Sequence, residues 1–273
     1  MTGQLAELLR GRRWVALTGA GISTDSGIPD YRGAGARPTN PIQYADFLGA
    51  ESVRRRYWAR SLLGFRSFGV ARPNPGHDAL VALRESGLRT VITQNVDGLH
   101  QAAGSPSVID LHGRIDRVIC LSCGAVSART ELQRRLEAAN PGVEGKVAAG
   151  RAELDDPRLR PDGDAVVEQW GDFVVLPCDR CGGVLKPDVV FFGESVPPER
   201  VAVSYRVVDE AEVVLVAGSS LTVMSGLRFV RHAAKAGKPV AIINRGPTRG
   251  DELATVRIDG GTSETLVELA ANL

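Results

Sequence analysis

Lysine is almost missing from this chain. Its 273 residues include four (Lys146, Lys186, Lys235 and Lys238), so arginine supplies nearly all the positive charge. A net charge is missing too: 33 basic against 32 acidic residues leave a formal +1. That field is too weak to gather nucleic acid or an anionic membrane surface. No apolar run reaches the ~20 residues needed to span a bilayer. The start lacks the basic stretch, apolar run and small-residue cleavage site of a secretory signal. Residues 1–10 read instead as an amphipathic helix. These absences predict a cytoplasmic protein, whose cysteines stay reduced. Internal repeats and long low-complexity runs are absent as well. What remains, 43% hydrophobic and 24% charged, is ordinary for a globular protein. The length suits one large domain, or one large and one small.

Short apolar runs alternate with helical stretches. Trp14–Thr18, Thr90–Thr93, Val213–Ala217 and Pro239–Ile243 read as buried strands. Residues 77–86 and 227–236 read as helices between them. Continuous apolar strands alternating with helices predict an α/β fold, a parallel sheet covered on both faces. Each strand stops at small or polar residues: Gly19-Ala20-Gly21, Gln94-Asn95, Gly218-Ser219-Ser220 and Asn244. Ligands of open α/β sheets bind outside the carboxyl ends of the strands. Four polar ends at one edge therefore predict one large ligand there. Two stretches, 33–75 and 119–186, interrupt the alternation and predict a smaller helical and metal-binding domain. The larger, Rossmann-like domain is then 1–32, 76–118 and 187–273.

All four cysteines fall in two C-x-x-C pairs, Cys120/Cys123 and Cys178/Cys181. A glycine follows each pair (Gly124, Gly182), which suits a tight knuckle turned toward a metal. Four thiolates suit tetrahedral zinc at ~2.3 Å, and with no fifth cysteine the site is closed and structural. The 54 residues between the pairs (124–177) exceed the usual ribbon spacing and need a large excursion, with a helix over 131–139. Two disulfides or four free thiols are the competing reading.

The turn after the first strand, Gly19-Ala-Gly-Ile-Ser-Thr24, lets backbone N–H groups approach a pyrophosphate. A dinucleotide fingerprint of the ordinary kind needs a third glycine where Thr24 stands. That disfavours a simple nicotinamide dehydrogenase. His112 follows an apolar run and precedes Gly113, a site position rather than a core one. Histidine is the side chain suited to general-base work near neutral pH. His77 reads as a cap or packing residue, and His100 and His232 as helix-face residues.

Six blocks together resemble the sirtuin family. They are Gly19-Ala-Gly-Ile-Ser23 with Gly27-Ile-Pro-Asp-Tyr-Arg32, Thr93-Gln-Asn-Val-Asp97, Leu111-His-Gly113, the two C-x-x-C pairs and Gly218-Ser-Ser-Leu221. Their order and spacing match over residues from about 13 to about 268. Within the family the chain is similar to the class II branch, as a bacterial-type relative of the mitochondrial lipoamidase and ADP-ribosyltransferase sirtuin. The segments that carry this are 56–60, 161–164, 185–193 and 246–249.

The resemblance implies an NAD-dependent protein-lysine deacylase. The acyl-lysine carbonyl oxygen attacks the ribose carbon of NAD as nicotinamide leaves. A histidine then helps deprotonate a ribose hydroxyl, and the acyl group ends on ADP-ribose. It implies His112 as the base and Asn95 as the residue that orients ribose and water. Cofactor contacts are implied at Gly19, Ala20, Gly21, Ser23, Asp30, Tyr31, Arg32, Gln94, Asn95, Val96 and Asp97, the last holding the nicotinamide amide. Others are implied at Gly218, Ser219, Ser220, Asn244, Arg245, Gly246 and Thr262. For Gln94, Asn95 and Asp97 a polar Asx-turn is the competing reading. Tyr31 stands where many members carry phenylalanine, and Thr262 where many carry cysteine. Val189, Val190, Phe191, Phe192 and Gly193 would pair with the substrate backbone as an added strand. The implied partners are acyl-lysine proteins, with no nucleic acid and no membrane, and the chain is expected to act as a monomer.

Tyr57 and Arg60 lie three residues apart and share a helix face. Such a pair reads acidic acyl groups in the succinyl-lysine branch, so a carboxylated or long acyl chain is one expectation here. A plain surface pair is the other. Two rival functions stand beside deacylation. The first is NAD-dependent protein ADP-ribosylation in the same pocket. The second is a zinc-ribbon adaptor or nucleic-acid binder, which the aromatic-poor, mixed-charge sequence between Cys120 and Cys181 argues against.

Overall fold

A computed structural model describes residues 2–30, 41–68, 71–143 and 171–273. Its strands in chain order are β1 Trp14–Thr18, β2 Leu88–Thr93, β3 Val108–Asp110, β4 Gly113–Cys120, β5 Val126–Ala128, β6 Leu185–Val189, β7 Val213–Ala217, β8 Val240–Ile243 and β9 Val256–Ile258. The four strands expected from the sequence are β1, β2, β7 and β8. They sit side by side in a parallel sheet of order β3-β2-β1-β7-β8-β9. The expected helices are present as Thr2–Leu9, Pro75–Ala82, Arg129–Ala139 and Met224–Lys235, with ends shifted by a few residues.

Every residue of β1, β7 and β8 is buried, as two-sided coverage requires. Alternation along the strands then divides the core in two. Trp14, Ala16, Val213, Leu215 and Ala217 face Leu5, Leu9, Leu80, Leu83, Leu266 and Leu269. Val15, Leu17, Val214, Val216 and Ile242 face Val208, Leu227, Phe229, Val230 and Ala233. Each layer is a row of branched side chains closed by helices, the arrangement that removes most apolar surface from water.

The chain forms two compact units. One holds Met1–Arg37, Arg72–His112 and Val196–Leu273, and the other Pro38–Ala71 and Gly113–Ser195. Residues 113–118 and 187–195, expected with the large sheet, group with the small unit. The reason is a ladder: β4 pairs antiparallel with both β5 and β6, so β4 and the end of β6 cannot be parted from the cysteine segment. The large unit contains the parallel sheet, and the small unit the three-stranded sheet β5-β4-β6 with the helices Tyr44–Gly49, Glu51–Phe68 and Arg129–Ala139. Among the described residues no helix is long and apolar enough to cross a membrane.

Candidate active site and metal centre

Because the large sheet is parallel and in register, its carboxyl ends form one row. Asp110 lies beside Thr93, Thr93 beside Thr18, Thr18 beside Ala217, Ala217 beside Ile243, and Ile243 beside Ile258. The next residues of each chain segment therefore meet at one edge. After β1 the chain turns through two short 3-10 segments, Ala20–Ile22 and Thr24–Ser26. The Gly21 N–H donates to the Gly218 carbonyl at 2.8 Å. Gly218 has φ +67°, and a Cβ there would lie 2.5 Å from the Ile22 nitrogen. The loops after β1 and β7 are pressed backbone to backbone, and only glycine fits at 218.

The polar side chains of this edge form a directed network. Asn95 Nδ2 donates to the Gly19 carbonyl at 3.1 Å and to Ser23 Oγ at 3.0 Å. Ser23 Oγ, fully buried, donates to Asp97 Oδ2 at 2.7 Å. Asp97 Oδ1 accepts the Leu99 N–H at 2.9 Å. The Asx-turn is thus present, yet the same carboxylate also reaches Ser23 across the loop. Gln94 Nε2 donates to Ser219 Oγ at 2.7 Å. Leu221, next to this loop, is the non-glycine residue with positive φ among those described, at +54°.

His112 follows β3 and is half-buried at the same edge. Its Nδ1 lies 2.8 Å from the Gln94 carbonyl and its Nε2 2.7 Å from Ser225 Oγ. A carbonyl can only accept, so Nδ1 carries the proton and Nε2 presents the lone pair. Burial pushes the imidazole down to about 4; the Gln94 carbonyl opposes this and the Arg200 guanidinium adds to it. His112 is therefore neutral at pH 7, the form that can take a proton.

The remaining expected contacts spread along the row. Asn244 is buried, and its Nδ2 donates to the carbonyls of Arg245 at 2.7 Å and Gly246 at 3.2 Å. Gly246 N–H donates to Asp259 Oδ1 at 3.0 Å, and exposed Arg245 lies 3.4 Å from Glu264. Thr262 is buried at the start of the helix Thr262–Asn272. Ser220 Oγ is 3.0 Å from Thr222 Oγ1. Ala20, Asp30 and Val96 are half-buried. Tyr31 and Arg32, like the segment 161–164, lie outside the described residues.

Three residues escape sequence reasoning here. Ser225 bonds His112 and the Arg200 charge acts on it, each from a helix distant in sequence, with no motif to announce them. His100 does more than sit on a helix face. It is buried, its Nε2 lies 2.9 Å from Thr18 Oγ1, and its ring centroid is 4.9 Å from that of His77. His77 completes the capping box of the helix Pro75–Ala82. Among the described residues, His77 Nε2 and His100 Nδ1 have no hydrogen-bond partner. Burial lowers both, His100 to about 3, where the neighbouring His77 adds to the effect.

In the small unit the four cysteine sulfurs all lie within 4.8 Å of one another. Cys120 and Cys181 are 3.5 Å apart, Cys123 and Cys178 4.0 Å. Sulfurs at the corners of a tetrahedron with ~2.3 Å bonds would be separated by about this much. The cysteines are unbridged, so the two-disulfide reading fails, and the donor set fits one zinc. Val189 pairs with Gly113, and Phe192 bridges to Gln43. Phe191 is buried, Val190 half-buried, and Phe192 and Gly193 exposed. Tyr57 is not a surface residue. It is 4% exposed, with its ring 5.6 Å from Phe47, 5.2 Å from Trp58 and 5.3 Å from Phe191, while Arg60 on the same helix is half-buried.

Residues 19–225 match the Sir2 family. The chain belongs to the Sir2 family. It is 56% identical over 272 residues to an NAD-dependent protein deacetylase 1 of Mycobacterium avium, covering 99% of this chain and 95% of that one. A protein of the same name from Streptomyces coelicolor is 60% identical over 259 residues, covering 93% and 84%. A solved Sir2 mutant with a p53 peptide and NAD superposes with a TM-score of 0.76 at 29% identity, covering 99% and 96%. This Sir2-family chain carries a polar sheet edge and a four-cysteine cluster in one polypeptide.

Purified protein should carry one zinc per chain by elemental analysis. Cys178→Ser should lose it and lower stability by at least about 3 kcal/mol in urea, a fraction of what structural zinc contributes. A second expectation concerns acid. His100 falls from its ordinary 6.5 to about 3 on folding, so the unfolded chain binds the extra proton between those values. Its neutral burial is harmless above pH 6.5 and becomes a growing cost as pH falls through that window. At pH 5 the cost is about 2 kcal/mol. The urea midpoint should drop from pH 7 to pH 5, and His100→Asn should make that drop smaller.

Proposed function

We propose that this Sir2-family chain is an NAD-dependent protein-lysine deacylase in which His112 is the general base. The observation that carries the assignment is the Gln94 carbonyl at 2.8 Å from Nδ1, which leaves Nε2 as the accepting atom on a neutral ring. NAD, when bound, supplies the ribose carbon under attack, the departing nicotinamide and the hydroxyls that receive the acyl group. The chain's own residues hold and deprotonate. The backbone-to-backbone packing of the loops at Gly21 and Gly218 keeps side chains away from the place where a pyrophosphate would approach. Asn95, Ser23 and Asp97 are fixed against one another before any ligand arrives, so little order is lost on binding. In our reading Asn95 orients the ribose and a water, and Asp97 accepts from the nicotinamide amide. Ser219, Ser220, Asn244, Arg245, Gly246 and Thr262 line the remainder of the dinucleotide.

We read Val189–Gly193 as the segment that pairs with an extended acyl-lysine peptide as an added strand. The exposure of Phe192 and Gly193 supports that placement. The zinc stays outside the chemistry, since four thiolates leave it no open position. The buried setting of Tyr57 supports a role for its ring as an apolar wall rather than as a hydroxyl reading a carboxylate. At Tyr57 an apolar acyl chain is then favoured over a carboxylated one. The near-zero net charge supports action without nucleic acid, and we read the protein as a cytoplasmic monomer.

With acyl-peptide and NAD, the protein should release nicotinamide and form O-acyl-ADP-ribose in equal amounts. His112→Ala should slow deacylation by about 10³-fold, within the range of a lost general base. Chromatography of the products checks both. ADP-ribose attached to protein, in place of the acylated nucleotide, would establish transfer to protein instead.

A further inference from the structure

The resting partner of His112 Nε2 is a hydroxyl, and no motif accounts for it. Ser225 Oγ lies 2.7 Å from Nε2. The serine is 9% exposed and belongs to the first turn of the helix Met224–Lys235. A second observation shows how it gets there. A Cβ on Gly226 would lie 2.6 Å from Gln94 Oε1, so the start of this helix is in contact with the Gln94 side chain. The carbonyl of that same Gln94 holds Nδ1. The imidazole is thus gripped at both nitrogens, by Gln94 and by Ser225, and the backbone of the next residue, Gly226, lies against the Gln94 side chain.

We propose that Ser225 is a positioning residue for acyl transfer, its hydroxyl fixing the ring plane of His112 while the Gln94 carbonyl sets the tautomer. The proposal rests on the reading of His112 as the base. A hydroxyl suits the task because it both donates and accepts. In the resting protein the Ser225 O–H donates to the Nε2 lone pair. For catalysis that O–H turns about the Cβ–Oγ bond and leaves the lone pair to the ribose hydroxyl. The ribose O–H bond breaks, a new N–H bond forms at Nε2, and the electron pair stays on the ribose oxygen. The imidazolium then has acceptors at both ends, the Gln94 carbonyl at Nδ1–H and Ser225 Oγ at Nε2–H. A carboxylate in place of the serine would hold the ring equally well but would favour its charged form before the reaction.

The test separates the two chemical steps. Exchange of labelled nicotinamide into NAD, in the presence of acyl-peptide, reports the first step, which needs no base. Formation of deacylated peptide reports the second. Ser225→Ala should lower kcat for deacylation about tenfold, with KM for peptide and NAD and the exchange rate changed by less than about twofold. Ser225→Thr, which keeps the hydroxyl, should restore most of the loss. The proposal is overturned if Ser225→Ala deacylates at the wild-type rate or faster. It is also overturned if exchange and deacylation fall together, the mark of a disturbed NAD edge, or if threonine restores nothing. His112→Ala is run beside them. If that variant deacylates like wild type, the base assignment fails as well; if it is inactive while Ser225→Ala is normal, Ser225 alone is excluded.

Discussion

The backbone carbonyl of Gln94 governs the chemistry of the whole edge. It comes just after β2, where the Gln94 N–H is bonded to the Thr18 carbonyl, so its direction is set by the ladder between β1 and β2. A carbonyl cannot donate, and this alone decides which nitrogen of His112 keeps its proton. Ring tautomer is thereby tied to strand register. A slip of one residue in β2 would turn every side chain of the strand to the opposite face and aim a different carbonyl at the ring. The buried apolar rows on both faces of the sheet oppose such a slip, which links core packing directly to the proton-accepting atom.

The same edge avoids buried charge. Asp97 is the carboxylate of the Asn95–Ser23 network and receives an N–H and an O–H donor. His112, His77 and His100 are all driven toward neutrality by burial. Preorganised dipoles with few full charges suit the pyrophosphate and positively charged nicotinamide ring that the proposed function brings to this edge. The zinc centre does its work in a separate unit. Sulfurs 3.5–4.0 Å apart in two pairs join β4 to the knuckle before β6, and so keep together the strand that ends at Val189.

Much of this is legible in the sequence. The fold class follows from apolar runs of strand length, and the site edge from the polar residues that come after them. The cysteine spacing names the metal. Three things are not legible. β3 is three half-buried residues, Val108–Asp110, too short and too mixed to announce a strand. The small unit's boundary at Gly113 follows from an antiparallel ladder between segments more than sixty positions apart, and periodicity carries no pairing information. Ser225 and His100 are common residue types on helices. What gives each a role is a partner far along the chain, His112 for one and Thr18 for the other. The burial of Tyr57 is hidden for a related reason: spacing along a helix tells which residues share a face, not whether that face is covered.

The account stands on the protonation of one ring, and nitrogen-15 NMR of selectively labelled histidine reads it directly. Between pH 6 and 8, His112 should show a protonated, pyrrole-type Nδ1 and an unprotonated, pyridine-type Nε2, with no titration near the ordinary 6.5. A proton on Nε2 at neutral pH, or a midpoint close to that of free histidine, would contradict it.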